Sequence, residues 1–198
     1  MYHHHHNHFF GLFSVPSAEW KSIREEKLDI AQFGFARLSI LAAVPALSFF
    51  IGITQFGWSL SGREFNLVTM ADAVSMSVGF YLAIVVCTLF MTYCTYWMEK
   101  TFGSEASYER CLLFVTYTAT PMYMAGLIGL VPIVWLVMLV LMGAVFYSLY
   151  LLYIGVPIYM NIPEGKGFIV STSIISAGLC TLITFIVATV IIWSMSNF

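Results

Sequence analysis

Five stretches of this sequence are long and apolar enough to cross a bilayer as helices, and that leaves few folds open. A hydrocarbon core of about 30 Å needs roughly 20 consecutive apolar helical residues. The stretches near Leu38–Trp58, Asp72–Trp97, Cys111–Val131, Ile133–Tyr153 and Ile169–Trp193 meet that length. In lipid the backbone has no water to bond, so such segments must close their hydrogen bonds internally. Only 9% of the 198 residues are charged, against roughly 25% in an ordinary soluble domain. The sequence therefore predicts an all-α integral membrane protein of five transmembrane helices with a short N-terminal interfacial amphipathic helix. Residues 1–36 are expected to form a cytoplasmic tail that carries this helix, and residues 37–198 the five-span domain.

Lys and Arg resist translocation and so set orientation. With the N-terminus in the cytoplasm, Lys21, Arg24, Lys27, Arg37, Lys100, Arg110 and Lys166 fall inside and only Arg63 falls outside. Five spans then leave the C-terminus on the periplasmic side. Trp58, Trp97 and Trp193 fall at span ends, where indole favours the headgroup region. The opening "MYHHHHNHFF" lacks the basic start, apolar run and cleavage site of a signal peptide, so the N-terminus is expected to be retained.

Ahead of the first span, "SAEWKSIREEKLDIAQFGF" carries Trp20, Ile23, Leu28, Ile30, Ala31 and Phe35 on one side of a helical wheel, with Glu25, Glu26 and Asp29 opposite. Arg24 and Lys27 fall within the apolar stripe. This pattern predicts a helix on the membrane surface, with Trp20 in the interface and Arg24 and Lys27 reaching phosphates. A helix facing a partner or solvent is the competing reading.

The run His3, His4, His5, His6 and His8 could bind a divalent metal through imidazole. No Cys, Asp or Glu lies in the first eighteen residues, and a terminal run has no fixed geometry, so an incidental or appended tail is the favoured reading. Arg37, Asp72, Glu99, Lys100, Glu109 and Arg110 are expected at span edges, where headgroups solvate them, and Asp72 is read as a helix N-cap. Cys87, Cys94, Cys111 and Cys180 make no CxxC pair and are read as reduced packing residues. Every His lies at the extreme N-terminus, and no GxSxG, HExxH, Walker or GxGxxG pattern occurs. An enzyme is not expected, and no cofactor is implied.

What remains is uncharged polarity inside the spans, concentrated in "TYTATPMYMAG". Pro121 deprives the Tyr117 carbonyl of its helical donor, and in lipid the loss must be repaired. Thr118 and Thr120 can bond locally, and a Tyr from a neighbouring helix can reach across. A kinked third span, forming a tight hairpin with the fourth, is the expectation. It would be a ligand or packing site built from Tyr117, Thr118, Thr120, Pro121, Tyr123, Tyr147, Tyr150, Pro45 and Gln55. Gly126, Gly129 and Gly143 would allow close helix approach.

The same residues carry a resemblance. "Tyr117-Thr118-Ala119-Thr120-Pro121" resembles the GYxxxP signature of the Yip family of Ypt/Rab-interacting membrane proteins, with Thr116 at the signature's Gly. "GLFSVPSAEW", "AAVPALSFFIGITQFGW", "TPMYMAGLIGLVPIVW" and "YLLYIGVPIYMNI" are similar to its short bacterial, YohC-like inner-membrane branch. That branch implies a multi-span protein of the bacterial cytoplasmic membrane; the Rab partners of eukaryotic members are not carried over.

The function expected is that of a non-enzymatic membrane factor, organising lipid or binding other membrane proteins through the third and fourth spans and the N-terminal helix. A transporter or channel for a small neutral or lipidic solute, gated at the Tyr117 to Pro121 kink, is the alternative, and a metal-responsive protein using the His run is a third reading. Membrane lipids and membrane proteins are the expected partners, without nucleic acid. The Gly, Ala, Ser and Thr content of the spans suits a homo-oligomer or contacts within one protomer equally.

Overall fold

The computed structural model describes residues 11, 14–25, 30–59, 62–63, 65, 67–103, 107–131 and 133–196. The five histidines, Lys27 and Pro132 lie outside these. The described residues are helical apart from turns and one isolated bridge between Ser59 and Ile133. A short helix α1 (Pro16–Glu25) is followed by α2 (Ile30–Ile51), α3 (Met70–Thr101), α4 (Tyr108–Thr118), α5 (Thr120–Ala125), α6 (Val134–Tyr159) and α7 (Glu164–Ser196). Among the described residues, Gly34–Phe56, Met70–Thr101 and Val134–Tyr159 are long and apolar enough to cross a membrane. A fourth crossing follows if Tyr108–Thr118 and Thr120–Leu130 count as one broken span. Three to four candidate spans therefore stand where the sequence predicts five.

Local chemistry sets the helix ends. Thr69 caps α3, its Oγ1 accepting from the Asp72 backbone N–H at 3.4 Å while its hydroxyl donates to the Asp72 carboxylate. Asp72 is thus the third residue of the helix and not its cap, the reciprocal arrangement in which a side chain three residues in turns back to the cap. Ser107 caps α4 in the same position, accepting from the Arg110 N–H. Beyond Ile51, α2 widens into a π turn over Gly52–Phe56, closed by the Gly57 N–H on the Gly52 carbonyl at 3.0 Å. The turn brings Gly52 so close to Gly129 that a Cβ there would meet the Gly129 carbonyl oxygen.

The broken segment α4–α5 lies in the middle of the bundle. It packs against α2, α3 and α6, while α7 packs against α3 and α6. Residues from Cys111 to Tyr123 are consequently buried almost without interruption.

The N-terminal helix corrects the sequence reading. Trp20 is 0% exposed and Ile23 is 5% exposed, because α1 docks its apolar face on α6 and not on lipid. The indole ring meets Phe114 at 5.0 Å, Tyr159 at 5.8 Å and Tyr117 at 6.4 Å between centroids. These rings belong to a core cluster with Leu113, Leu151, Val156 and Val170. Arg24 donates to the Ile158 carbonyl at 3.0 Å and to Asn161 Oδ1 at 3.2 Å, both at the end of α6. Protein atoms thus replace the lipid phosphates that the helical wheel suggested.

Gly155 makes room for the indole: a Cβ there would lie 2.7 Å from Phe114 Cε2 and 2.8 Å from Trp20 Cε2. Gly143, expected at a close helix approach, has nothing within 4 Å of such an atom. Gly155→Val is expected to destabilise by about 1–3 kcal/mol through overpacking. Gly143→Ala is expected to stabilise by about 0.5–1 kcal/mol through helix propensity. Opposite shifts of the melting temperature in detergent check the pair.

Candidate functional site

The axis of the central segment bends by 43° between Tyr108–Thr118 and Thr120–Leu130. The cause is Pro121, which sits in the first turn of α5, where a missing N–H costs least. The chain restarts across Ala119, whose carbonyl accepts from the N–H groups of Met122 at 3.0 Å and Tyr123 at 3.1 Å. Thr118 donates to the Phe114 carbonyl at 2.8 Å and Thr120 to the Thr116 carbonyl at 3.0 Å. Each hydroxyl therefore bonds the carbonyl four residues back, that of Thr120 spanning the break from α5 to α4, rather than the Tyr117 carbonyl.

Tyr123 reaches α3, with its hydroxyl 2.8 Å from Thr88 Oγ1. Thr88 already uses its single proton on the Ile84 carbonyl at 2.8 Å, so Tyr123 is the donor. The expected Tyr reaching across a helix boundary therefore comes from the bent segment itself. On the opposite flank, Pro45 of α2 fills the space over Gly126, where a Cβ would lie 2.3 Å from the proline Cβ. Thr116, Tyr117, Thr118, Thr120 and Tyr123 are all at most 6% exposed, and Pro121 is buried. Pro45, Tyr117, Thr118, Thr120, Pro121 and Tyr123 are thus all buried, Tyr117 in the core cluster around Trp20 and Tyr123 in a second one with Leu38, Ala42 and Leu112. Gln55 lies elsewhere, exposed in the π turn. Tyr147 is half-buried against the larger core cluster, and Tyr150, 5.8 Å from it between ring centroids, faces outward.

Two charged residues expected at solvated edges are drawn inward. The Arg37 guanidinium carbon sits 4.1 Å above the centroid of the Tyr117 ring, a cation–π contact on the signature tyrosine. Glu99 is 1% exposed, on the helix α3 that packs against α4 and its buried Cys111. The sequence carries a signal for Glu99, since Thr88, Thr92, Thr95 and Glu99 recur at intervals of four, three and four and form one buried face of α3. That spacing places all four on the side that meets α4. Thr92 and Thr95 donate to the carbonyls of Thr88 and Met91, each at 2.8 Å.

Residues 10–194 of the chain match the Yip1 domain. The chain belongs to the Yip1 domain family. It is 33% identical over 187 residues to "Inner membrane protein YohC" of Escherichia coli K12, covering 94% of this chain and 96% of that protein. The protein of the same name from Escherichia coli O6:H1 matches with the same identity and coverage. No solved structure matches.

Interhelical hydrogen bonds in membranes average about 0.6 kcal/mol. A double-mutant cycle of Tyr123→Phe with Thr88→Val, read by unfolding in mixed micelles, is expected to return a coupling of about that size. Removing the proton donor at the joint should therefore loosen it without unfolding the protein.

Proposed function

We propose that this Yip1-domain protein is a non-enzymatic, five-span component of the bacterial inner membrane that organises the membrane by binding lipids or other membrane proteins. The observation that carries the reading is the segregation of surface on its long helices. Val78, Leu82, Val86, Phe90 and Trp97 form an exposed apolar stripe along α3, opposite the buried Thr88, Thr92, Thr95 and Glu99. Trp135, Met138, Met142 and Phe146 form a second exposed stripe on α6. Polar chemistry is turned inward and used up in packing, while large apolar and aromatic side chains are offered outward. Such surfaces suit acyl chains and partner helices.

The fifth span in this reading is α7, whose 33 residues carry no Asp, Glu, Lys or Arg after Lys166. Five crossings with a cytoplasmic N-terminus put the C-terminus in the periplasm and leave Arg63 alone among the cations on the far side. Single cysteines at Arg63, Lys100 and Lys166, in a background lacking the native four, test the orientation. An impermeant maleimide applied to intact cells should label only Arg63→Cys. Labelling at Lys166→Cys would reverse the topology.

Photoreactive residues at Phe90 and Phe146 are expected to give defined lipid or membrane-protein adducts in cells, and one at Thr92 only adducts within the chain. Substrate-dependent flux into proteoliposomes, lost in Tyr117→Phe and Pro121→Ala, would overturn the binding reading in favour of transport. Turnover of a substrate to a defined product would overturn its non-enzymatic part.

A further inference from the structure

The N-terminal helix α1 buries Trp20 and Ile23, three residues apart on one face. It packs on α6 and, through the indole, on Phe114 and Tyr117 of α4, whereas α2, the helix it leads into, is not among its main contacts. The groove satisfies this face only in part. Three aromatic rings surround the indole, and the Ile158 carbonyl and Asn161 Oδ1 accept from Arg24. The indole N–H, however, is buried without a hydrogen-bond partner among the described residues. A donor buried in this way costs the docked position its full desolvation.

A second home for the same face lies alongside. With 26 residues at about 1.5 Å each, α6 is about 39 Å long and exceeds a hydrocarbon core of about 30 Å. Gly155, Ile158 and Asn161 belong to its last turns or follow it, so the groove opens at the depth of the headgroups. There a Trp ring rests in apolar surroundings while its N–H meets water or lipid oxygen. The membrane interface therefore supplies the partner that the groove withholds. The groove in turn supplies ring contacts and Arg24 acceptors that the interface lacks.

Ten residues are too few for a stable helix in water, so α1 keeps its structure in one of these two places. Five peptide units join Glu25 to Ile30 and reach about 17 Å when extended, more than a helix diameter of about 10 Å. That reach lets α1 change places while α2 stays.

We propose that α1 is a two-position latch. Docked, it closes the aromatic groove of Phe114, Tyr117 and Tyr159; released, it lies on the membrane surface through the same Trp20 and Ile23. What moves it is acyl packing. Glu19 and Glu25 offset Lys21 and Arg24, so α1 has no net charge, and its hold on a bilayer comes from apolar area inserted between loosely packed headgroups. The inference goes beyond the proposed function and does not depend on what the stripes of α3 and α6 bind.

Spin labels at Ser22→Cys and Lys166→Cys, both exposed sites, in the full chain without its native cysteines, report the distance from α1 to the start of α7. The protein is reconstituted in large, flat vesicles or in small, highly curved ones of a single lipid, dioleoyl phosphatidylcholine, so that charge and chain length are the same in both. One short distance is expected in flat vesicles, joined in curved ones by a longer distance whose share rises severalfold. Arg24→Gln, which removes bonds made only when α1 is docked, should raise that share severalfold in flat vesicles. A single distance, unchanged by curvature and by Arg24→Gln, would overturn the proposal. So would a longer distance that follows added phosphatidylglycerol and not curvature, or one that appears only at high protein-to-lipid ratio, where exchange of α1 between two copies explains it.

Discussion

A proline at the centre of a membrane bundle removes a hydrogen-bond donor where water cannot replace it, and much of this structure follows from how that loss is absorbed. The segment that contains Pro121 is enclosed by α2, α3 and α6, so its irregular backbone meets protein and not lipid. The break at Ala119 lets the chain restart as a new helix, with Pro121 in its first turn. Enclosure then forces the surrounding helices to supply small or complementary shapes. Pro45 lies over Gly126, Gly52 over Gly129, and Thr88 meets the Tyr123 hydroxyl. The polar residues of the segment are consistent with this position, because a helix walled by protein gains nothing from a lipophilic exterior.

A second knot ties the amino-terminal end of the chain to this core. Trp20 gives up a hydrogen bond for its indole nitrogen, which finds no partner among the described residues, in return for contact with three aromatic rings. Tyr117 belongs to both knots: its ring faces Trp20 at an edge and carries the Arg37 guanidinium. The signature tyrosine thus links the bend of the central span to the docking of the N-terminal helix. The proline and the tyrosine four residues before it act on different neighbours, one on the backbone path and the other on the aromatic cluster around Trp20.

Much of the fold is legible in the sequence because apolar length is a direct physical requirement. The helices overrun the predicted boundaries, as in α3 from Met70 to Thr101 against Asp72 to Trp97, because capping by Thr69 and the polar last turn carry them past the hydrocarbon. The apolar face of α1 was readable from Trp20 and Ile23, but what covers it was not, since a lipid surface and a protein groove demand the same pattern. Pro45, Tyr117, Thr118, Thr120, Pro121 and Tyr123 were recognisable as joint residues by their polarity or their backbone chemistry. Gln55 and Tyr150 share those properties yet face outward, and only helical phase in three dimensions separates the two groups. Glu99 shows the reverse case. Its nearness to a span end suggested solvation, while its phase with Thr88, Thr92 and Thr95 placed it inside.

The partners of the Trp20 contact are far apart in the order of synthesis. Gly155, which receives the indole, lies far along the chain from Trp20, and at about 5–20 residues per second it follows Trp20 by roughly 7–27 seconds. Throughout that interval α1 has an apolar face and no groove to bury it in. The membrane surface is the nearest cover, and the helix has the amphipathic pattern to use it. The docked position of α1 is therefore reached only after most of the helices have been made, and seating the indole is a late act of biogenesis.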